Sequence, residues 1–248
     1  MDSFDLDRWN QIAEAYSEFV TRDEFRKELL HKNIFRLLGE IKNVRILDAG
    51  CGEGSFTKSM AERGALVSGV DGSIKLIEIA RQKFGGAGIN FQVADLRQTL
   101  PFPDGSFDAV VSNMVLMDFD PIDQAIQETA RVMRPGGSFV IAILHPVFSR
   151  GELRKTLLEK IFVKPPHYAI NTYKTPEQSA WRITDMPRDT SVFKRPIEFY
   201  MNALRASGFV VSDIKEPVFD KNYALGKNNF IKLCTEIPPF LILRAEKR

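Results

Sequence analysis

Residues 48 to 54 read Asp-Ala-Gly-Cys-Gly-Glu-Gly, with Gly50, Gly52 and Gly54 at alternate positions directly behind the branched apolar residues Val44, Ile46 and Leu47. Phe56, Met60 and Ala61 then recur at helical spacing as far as Gly64, so the stretch reads as strand, glycine-rich turn and helix. Glycine is needed where a backbone bends sharply and a ligand comes close, because a Cβ would clash. The helix that follows directs unpaired N–H groups into the turn. Residues 44–57 therefore build a cradle for a nucleotide-type ligand.

Two more carboxylates stand where such a ligand would need them. Asp71 ends the apolar stretch 66–71, LVSGVD, 21 positions after Gly50. A carboxylate there accepts from both hydroxyls of a ribose; the alternative is an Asp that starts a turn before Gly72. Asp95 ends INFQVAD at 89–95. It can accept from an exocyclic amine, with the Leu96 N–H beside it to donate, or serve as a turn residue. His145 follows a fifth apolar strand and is one of three histidines. It is a candidate general base, or a histidine that merely hydrogen-bonds at a strand end. Tyr16 is a second candidate, a residue that could reach the ligand. No His/Cys cluster offers a metal site.

The elements that must position these residues alternate along the chain. Trp9, Ile12, Ala13 and Tyr16 share one helical face within residues 4–18, which also carries Phe4; this helix either packs on the domain or forms a flap over the ligand. Residues 22–39 are an amphipathic helix with Phe25, Leu29, Leu30, Ile34, Leu37 and Leu38 on its apolar face. Ser73 caps a helix that turns Ile74, Ile77, Ala80 and Phe84 inward. Phe107 to Ser112 is a fourth strand with Asn113 and Met114 at its mouth. Asp120 caps and Pro121 opens the next helix, and Ser138 to Leu144 is a central strand with almost no polar residue. Pro196 opens a later helix, Phe209 to Ile214 is a sixth strand, and Phe240 to Arg244 a seventh. No convincing helix separates the last two, which makes the seventh antiparallel to its neighbour.

Residues 146–194 break the alternation. They carry Phe148, Phe162, Tyr168, Tyr173 and Trp181, with Lys155, Lys160 and Lys164 among them. Such an aromatic insertion is a lid or substrate-recognition element, or a dimer contact. The whole, 1–248, reads as one domain with 1–40 as N-terminal helices or flap.

Composition narrows the function class. The 248 residues are 44% hydrophobic, enough for one substantial core. A net charge of +2 does not suit a protein built to coat nucleic acid or an anionic membrane. Cys51 and Cys234 are too few for a disulfide framework. No apolar run approaches the ~20 residues of a membrane helix, and the N-terminus lacks an apolar signal core. These features point to a soluble cytoplasmic protein in a reducing compartment; a monomer or homodimer is expected.

The ordered set of motifs resembles a class I S-adenosylmethionine-dependent methyltransferase. The residues that carry it are DAGCGEGSF at 48–56, Asp71, Asp95-Leu96, FDAVVSN at 107–113 and MRPGG at 133–137. The small-molecule branch often called methyltransferase type 11 is the nearest in pattern, and FKRPIEFYMNALRASGF at 193–209 is similar to it as well. The resemblance implies a Rossmann-like α/β fold: a seven-stranded sheet, mostly parallel with one antiparallel strand, helices on both faces, and here an insertion after the fifth strand. It implies S-adenosyl-L-methionine as cofactor, with Asp48, Gly50, Cys51 and Gly52 at the methionine end. Asp71 and Gly72 would then meet the ribose, Asp95 and Leu96 the adenine, and Asn113 the methionine amino group. A dinucleotide dehydrogenase would ask for glycine where Ser55 stands. The Asn-Pro-Pro-aromatic motif of base- and amine-modifying methyltransferases is replaced by Asn113-Met114-Val115-Leu116. A methyltransferase acting on RNA or protein, and a non-catalytic S-adenosylmethionine-binding subunit, are the remaining alternatives.

Overall fold

The computed structural model describes residues 6–154, 167–170, 172–181, 186–187 and 189–248. The chain opens with α1 (Leu6–Arg22). The expected helix over 22–39 follows in three pieces: α2 (Glu24–Arg26), a π turn (Lys27–His31) and α3 (Lys32–Leu38). The Asp23 side chain caps α2 by accepting from the Arg26 N–H, which satisfies one of the first-turn donors. Then come β1 (Arg45–Ala49), α4 (Ser55–Ala61), β2 (Leu66–Asp71), α5 (Ile74–Phe84), β3 (Asn90–Val93) and β4 (Phe107–Asn113). They are followed by α6 (Asp123–Val132) and β5 (Met133–Leu144). The insertion contributes β6 (Gly151–Arg154), β7 (His167–Ile170), β8 (Glu177–Trp181) and β9 (Thr190–Lys194). The chain closes with α7 (Ile197–Ala206), β10 (Phe209–Lys215), the short α8 (Asn229–Leu233) and β11 (Phe240–Lys247).

Seven strands form one sheet in the order β10-β11-β5-β4-β1-β2-β3. All are parallel except β11, which runs antiparallel to both β5 and β10. This is the Rossmann-like methyltransferase fold expected above. Phe139 to Ile143 of β5 are fully buried, as a central strand covered on both faces must be. Strand order reverses between β1 and β4. In an open α/β sheet that reversal leaves a crevice at the strands' carboxyl ends, where Asp48, Gly50, Gly52, Asp71, Asp95 and Asn113 lie.

Four expectations change. Ile74 is exposed rather than inward: the buried stripe of α5 is Ser73, Leu76, Ile77 and Ala80, and at 3.6 residues per turn Ile74 falls about 100° from it. The helix expected at Pro121 starts at Asp123, because the Asp120 carboxylate is taken by Arg195 at 2.9 Å instead of capping. A five-residue helix, α8, does separate the last two strands. The described part of the insertion is not irregular: it holds two antiparallel hairpins, β6–β7 and β8–β9. Phe4, Lys155, Lys160, Phe162 and Lys164 lie outside the described residues, as do the side chains of Tyr168 and Trp181.

Candidate active site

The cradle turns where β1 ends. Gly50 and Cys51 both donate their N–H groups to the Val70 carbonyl, at 2.8 and 2.9 Å, so the loop is pinned to the neighbouring strand. Gly50 has φ +84°, and a Cβ there would lie 2.3 Å from Val115 Cγ2. Gly52 has φ +56°, and its Cβ would stand in the cleft, 3.7 Å from the Tyr16 ring. Only glycine accepts both the backbone conformation and the missing side-chain space. Cys51 packs its sulfur against Gly69, and burial pushes its thiol well above the ordinary range; it is a filler, not a nucleophile.

Asp48 is buried beneath this loop and accepts from Thr57 Oγ1 at 2.6 Å. Burial, with the Asp71 charge adding to it, raises its carboxyl to about 7 against the Thr57 hydrogen bond. Asp71 stands at the lip. Its Oδ2 accepts from the Gly52 N–H at 2.9 Å and its Oδ1 from the Ser73 N–H at 2.8 Å. Burial raises its pKa although both backbone bonds oppose it. Each oxygen keeps lone-pair capacity for a ligand, and the two amides fix its aim. Asp95 also lines the cleft, but its carboxylate is held by Arg97, with the shortest contact 2.7 Å. Burial alone would raise it; the Arg97 bonds prevail and hold it below its ordinary value.

The opposite wall is the segment after β4. Met114 takes a left-handed φ of +64° while its N–H donates to the Ala142 carbonyl at 2.8 Å. Arg195, buried, clamps this segment by donating to the carbonyls of Leu116, at 3.0 Å, and Phe119. Asn113 lines the cleft with its buried Oδ1 unpartnered, and the buried Asp118 does the same with its own Oδ1.

α1 covers the opening. Asn10 Oδ1 accepts from Ser73 Oγ at 2.8 Å and from the Lys75 N–H at 3.2 Å. Lys83 Nζ donates to Ser17 Oγ at 2.6 Å and pairs with Glu53 Oε2 at 3.1 Å, tying α1 to the glycine loop. Leu6 closes over Gly72, where a Cβ would meet it at 2.5 Å. Trp9 and Tyr16 pack edge-to-face at 5.2 Å and line the cleft. The Tyr16 hydroxyl accepts from Arg26 Nη1 at 2.8 Å; burial raises its pKa against that arginine.

The cleft lies beside Asp71, Gly72, Asp95 and Leu96 and is open to solvent. A second cavity adjoins it, sharing Tyr16, Gly50, Gly52 and Asn113, and is also lined by Arg26, His31, Asp48, Cys51 and Glu53. Burial, then Arg26, Lys27 and Arg63, lower His31 to about 4, so it is neutral there. The structure thus brings together Tyr16, Asp48, Gly50, Cys51, Gly52, Asp71, Gly72, Asp95, Leu96 and Asn113. His145 is not among the lining residues. Its Nε2 bonds Glu216 at 2.7 Å, and its Nδ1 accepts the N–H groups of Val147 and Phe148 at 3.2 and 3.3 Å. Both nitrogens are engaged in holding the turn after β5, and burial lowers its pKa against Glu216.

Arg26 and Asp118 escaped the sequence reading. Asp118 left a trace: a single charge between Leu116, Met117 and Phe119, a buried-acid pattern. Arg26 left none, since an arginine on an amphipathic helix is ordinarily solvated.

The sequence model of one family, described as a methyltransferase domain, matches residues 47–141. A demethylmenaquinone methyltransferase of Tropheryma whipplei is 33% identical over 143 residues, 56% of this chain and 58% of its own. A malonyl-[acyl-carrier protein] O-methyltransferase of Pseudescherichia vulneris is 34% identical over 136 residues, 55% of this chain and 51% of its own. The chain spans about half the length of these curated relatives. Among solved structures, an S-adenosylmethionine-dependent methyltransferase from Mesorhizobium loti superposes with a TM-score of 0.73 at 25% identity, covering 87% of this chain and 96% of the other.

Proposed function

We propose that this chain, whose residues 47–141 match a methyltransferase domain, transfers a methyl group from S-adenosylmethionine to a small-molecule acceptor. One observation carries the reading: a cleft with an aimed carboxylate, Asp71, and an arginine, Arg26, in the cavity that adjoins it. That polarity suits a nucleoside with an amino-acid tail. Asp71 would accept from the ribose hydroxyls, and Asp95 with Leu96 would flank the adenine. Asn113 Oδ1, buried and unpartnered, would accept from the amino group. Arg26 would face the carboxylate, and Gly50 and Gly52 would let the ligand lie against backbone.

When bound, S-adenosylmethionine supplies a methyl already activated by the sulfonium charge. The protein's work is then alignment and exclusion of water. Trp9 and Tyr16, on a helix tied down by Asn10 and Lys83, cover the opening. The hairpin β8–β9 reaches the cleft wall, where the Phe193 N–H donates to the Met117 carbonyl at 2.7 Å, and Met186 packs on Ile12 of α1. We read residues 146–194 as the lid or substrate-recognition element on this basis. The names of the curated relatives, acting on a demethylated menaquinone and a carrier-bound malonyl group, support a small acceptor. We place the chain in the cytoplasm, as monomer or homodimer; both its cysteines are free thiols, and among the described residues no helix is long and apolar enough to cross a membrane.

The test is calorimetry with S-adenosylhomocysteine and with 5′-methylthioadenosine, which lacks the amino-acid tail. Arg26→Met weakens the first roughly tenfold or more and leaves the second unchanged. Equal losses for both ligands would reject this orientation.

A further inference from the structure

The cleft wall that follows β4 holds a group that the cofactor reading does not use. Asp118 is 6% exposed and its Oδ1 has no hydrogen-bond partner. A buried carboxyl oxygen left unpaired costs free energy on the order of 1–3 kcal/mol, so its retention at a ligand cleft points to a ligand. The apolar Trp9, Met114, Val115 and Phe119 line the same cleft. Its position is imposed rather than incidental. The Asp118 N–H donates to the Val115 carbonyl at 2.8 Å, and Arg195 grips the carbonyls on either side, Leu116 and Phe119.

We propose that Asp118 binds the methyl acceptor, that the acceptor presents a neutral hydroxyl on an apolar body, and that Asp118 Oδ1 takes the hydroxyl proton as the methyl is transferred. This rests on the cofactor reading above and deepens it. The charged and titratable groups facing Asp118 are Arg26 from α2, Arg195 beyond β9, Asp71 from β2 and Tyr16 from α1, with Arg26 paired to Asp23 and Arg195 to Asp120. A hydroxyl can donate to the unpartnered Oδ1 and give up its proton to it, which an ether cannot. The step balances. The acceptor O–H bond breaks and its proton passes to Asp118 Oδ1. The oxygen lone pair forms the new bond to the methyl carbon, and the electrons of the broken C–S bond return to sulfur, leaving a neutral thioether. Burial, and Asp71 with it, hold the carboxyl well above its ordinary range against both arginines. A raised proton affinity makes the carboxylate a stronger acceptor for the hydroxyl proton. His145, with both nitrogens engaged outside the cleft, cannot do this work without breaking the turn it holds.

The experiment uses the S-adenosylhomocysteine-loaded protein and two matched probes: 4-propylphenol and 4-propylanisole. The phenol binds the wild type, and the anisole, which has no hydroxyl proton, binds roughly tenfold or more weakly. Asp118→Asn weakens the phenol by a similar factor and leaves S-adenosylhomocysteine within about twofold. With S-adenosylmethionine instead, the wild type forms the methyl ether; in the variant kcat falls roughly a hundredfold or more, and the acid limb of the pH profile disappears. The proposal is overturned if the phenol does not bind, if the anisole binds equally well, or if Asp118→Asn behaves as wild type. It is also overturned if the variant loses S-adenosylhomocysteine equally, which would put Asp118 on the cofactor. A wild type that binds no S-adenosylhomocysteine at all brings down the cofactor reading on which this one stands.

Discussion

Replacing Asp48 by Asn should change how stability depends on pH. Asp48 is 1% exposed, its proton affinity is raised from 3.8 to about 7, and burial is the first cause. A carboxyl held above its unfolded value destabilises the fold once the unfolded chain can ionise. Below pH ~4 both states are protonated and the effect vanishes; as pH rises the unfolded state loses its proton first, so stability falls until the folded carboxyl ionises as well. With 1.36 kcal/mol per pH unit, the penalty is roughly 2 kcal/mol at pH 5 and roughly 4 kcal/mol at pH 8. Asn keeps the acceptor for the Thr57 hydroxyl but carries no charge. Wild type and Asp48→Asn should therefore be compared by urea unfolding at several pH values. The variant gains on the wild type by roughly 2–3 kcal/mol between pH 5 and pH 8. A stability difference that stays constant across that range would refute the claim that burial holds this proton.

Three further outcomes follow from the geometry. Gly50→Ala meets both a left-handed φ and Val115 at 2.3 Å, and should cost roughly 2–4 kcal/mol in thermal or urea unfolding; adding Val115→Ala recovers the steric part only. Arg195→Met leaves the carbonyls of Leu116 and Phe119 without their clamp, a loss of roughly 3 kcal/mol or more by denaturant titration. Asn10→Ala removes the acceptor for Ser73 Oγ and the Lys75 N–H, costing about 1 kcal/mol, and should make α1 the first site cut in limited proteolysis.

The sheet and the glycine cradle were legible because their signals are local. Alternate glycines, strand-end acids at Asp71 and Asp95, and apolar runs of strand length each follow from backbone rules that act over a few residues. What the sequence hid depends on partners far along the chain. Asp120 reads as a helix cap until Arg195, 75 residues later, takes its carboxylate. His145 reads as a candidate base until Glu216, 71 residues away, takes its Nε2. Asp95 reads as a free acceptor, whereas Arg97 only two positions on occupies it; that pairing was local, but nothing in the spacing distinguishes an arginine that folds back from one that faces solvent. Arg26 becomes a cleft residue only because the helix carrying it packs beside the glycine loop.

The most direct measurement of the central claim is a calorimetric titration with S-adenosylmethionine, S-adenosylhomocysteine and NAD, on wild type and on Asp71→Ala checked for native circular dichroism. Both sulfur ligands bind and NAD does not, and the variant loses roughly 1.5–3 kcal/mol, tenfold or more in affinity. Binding of NAD, no binding of either sulfur ligand, or a variant as tight as wild type would contradict the account.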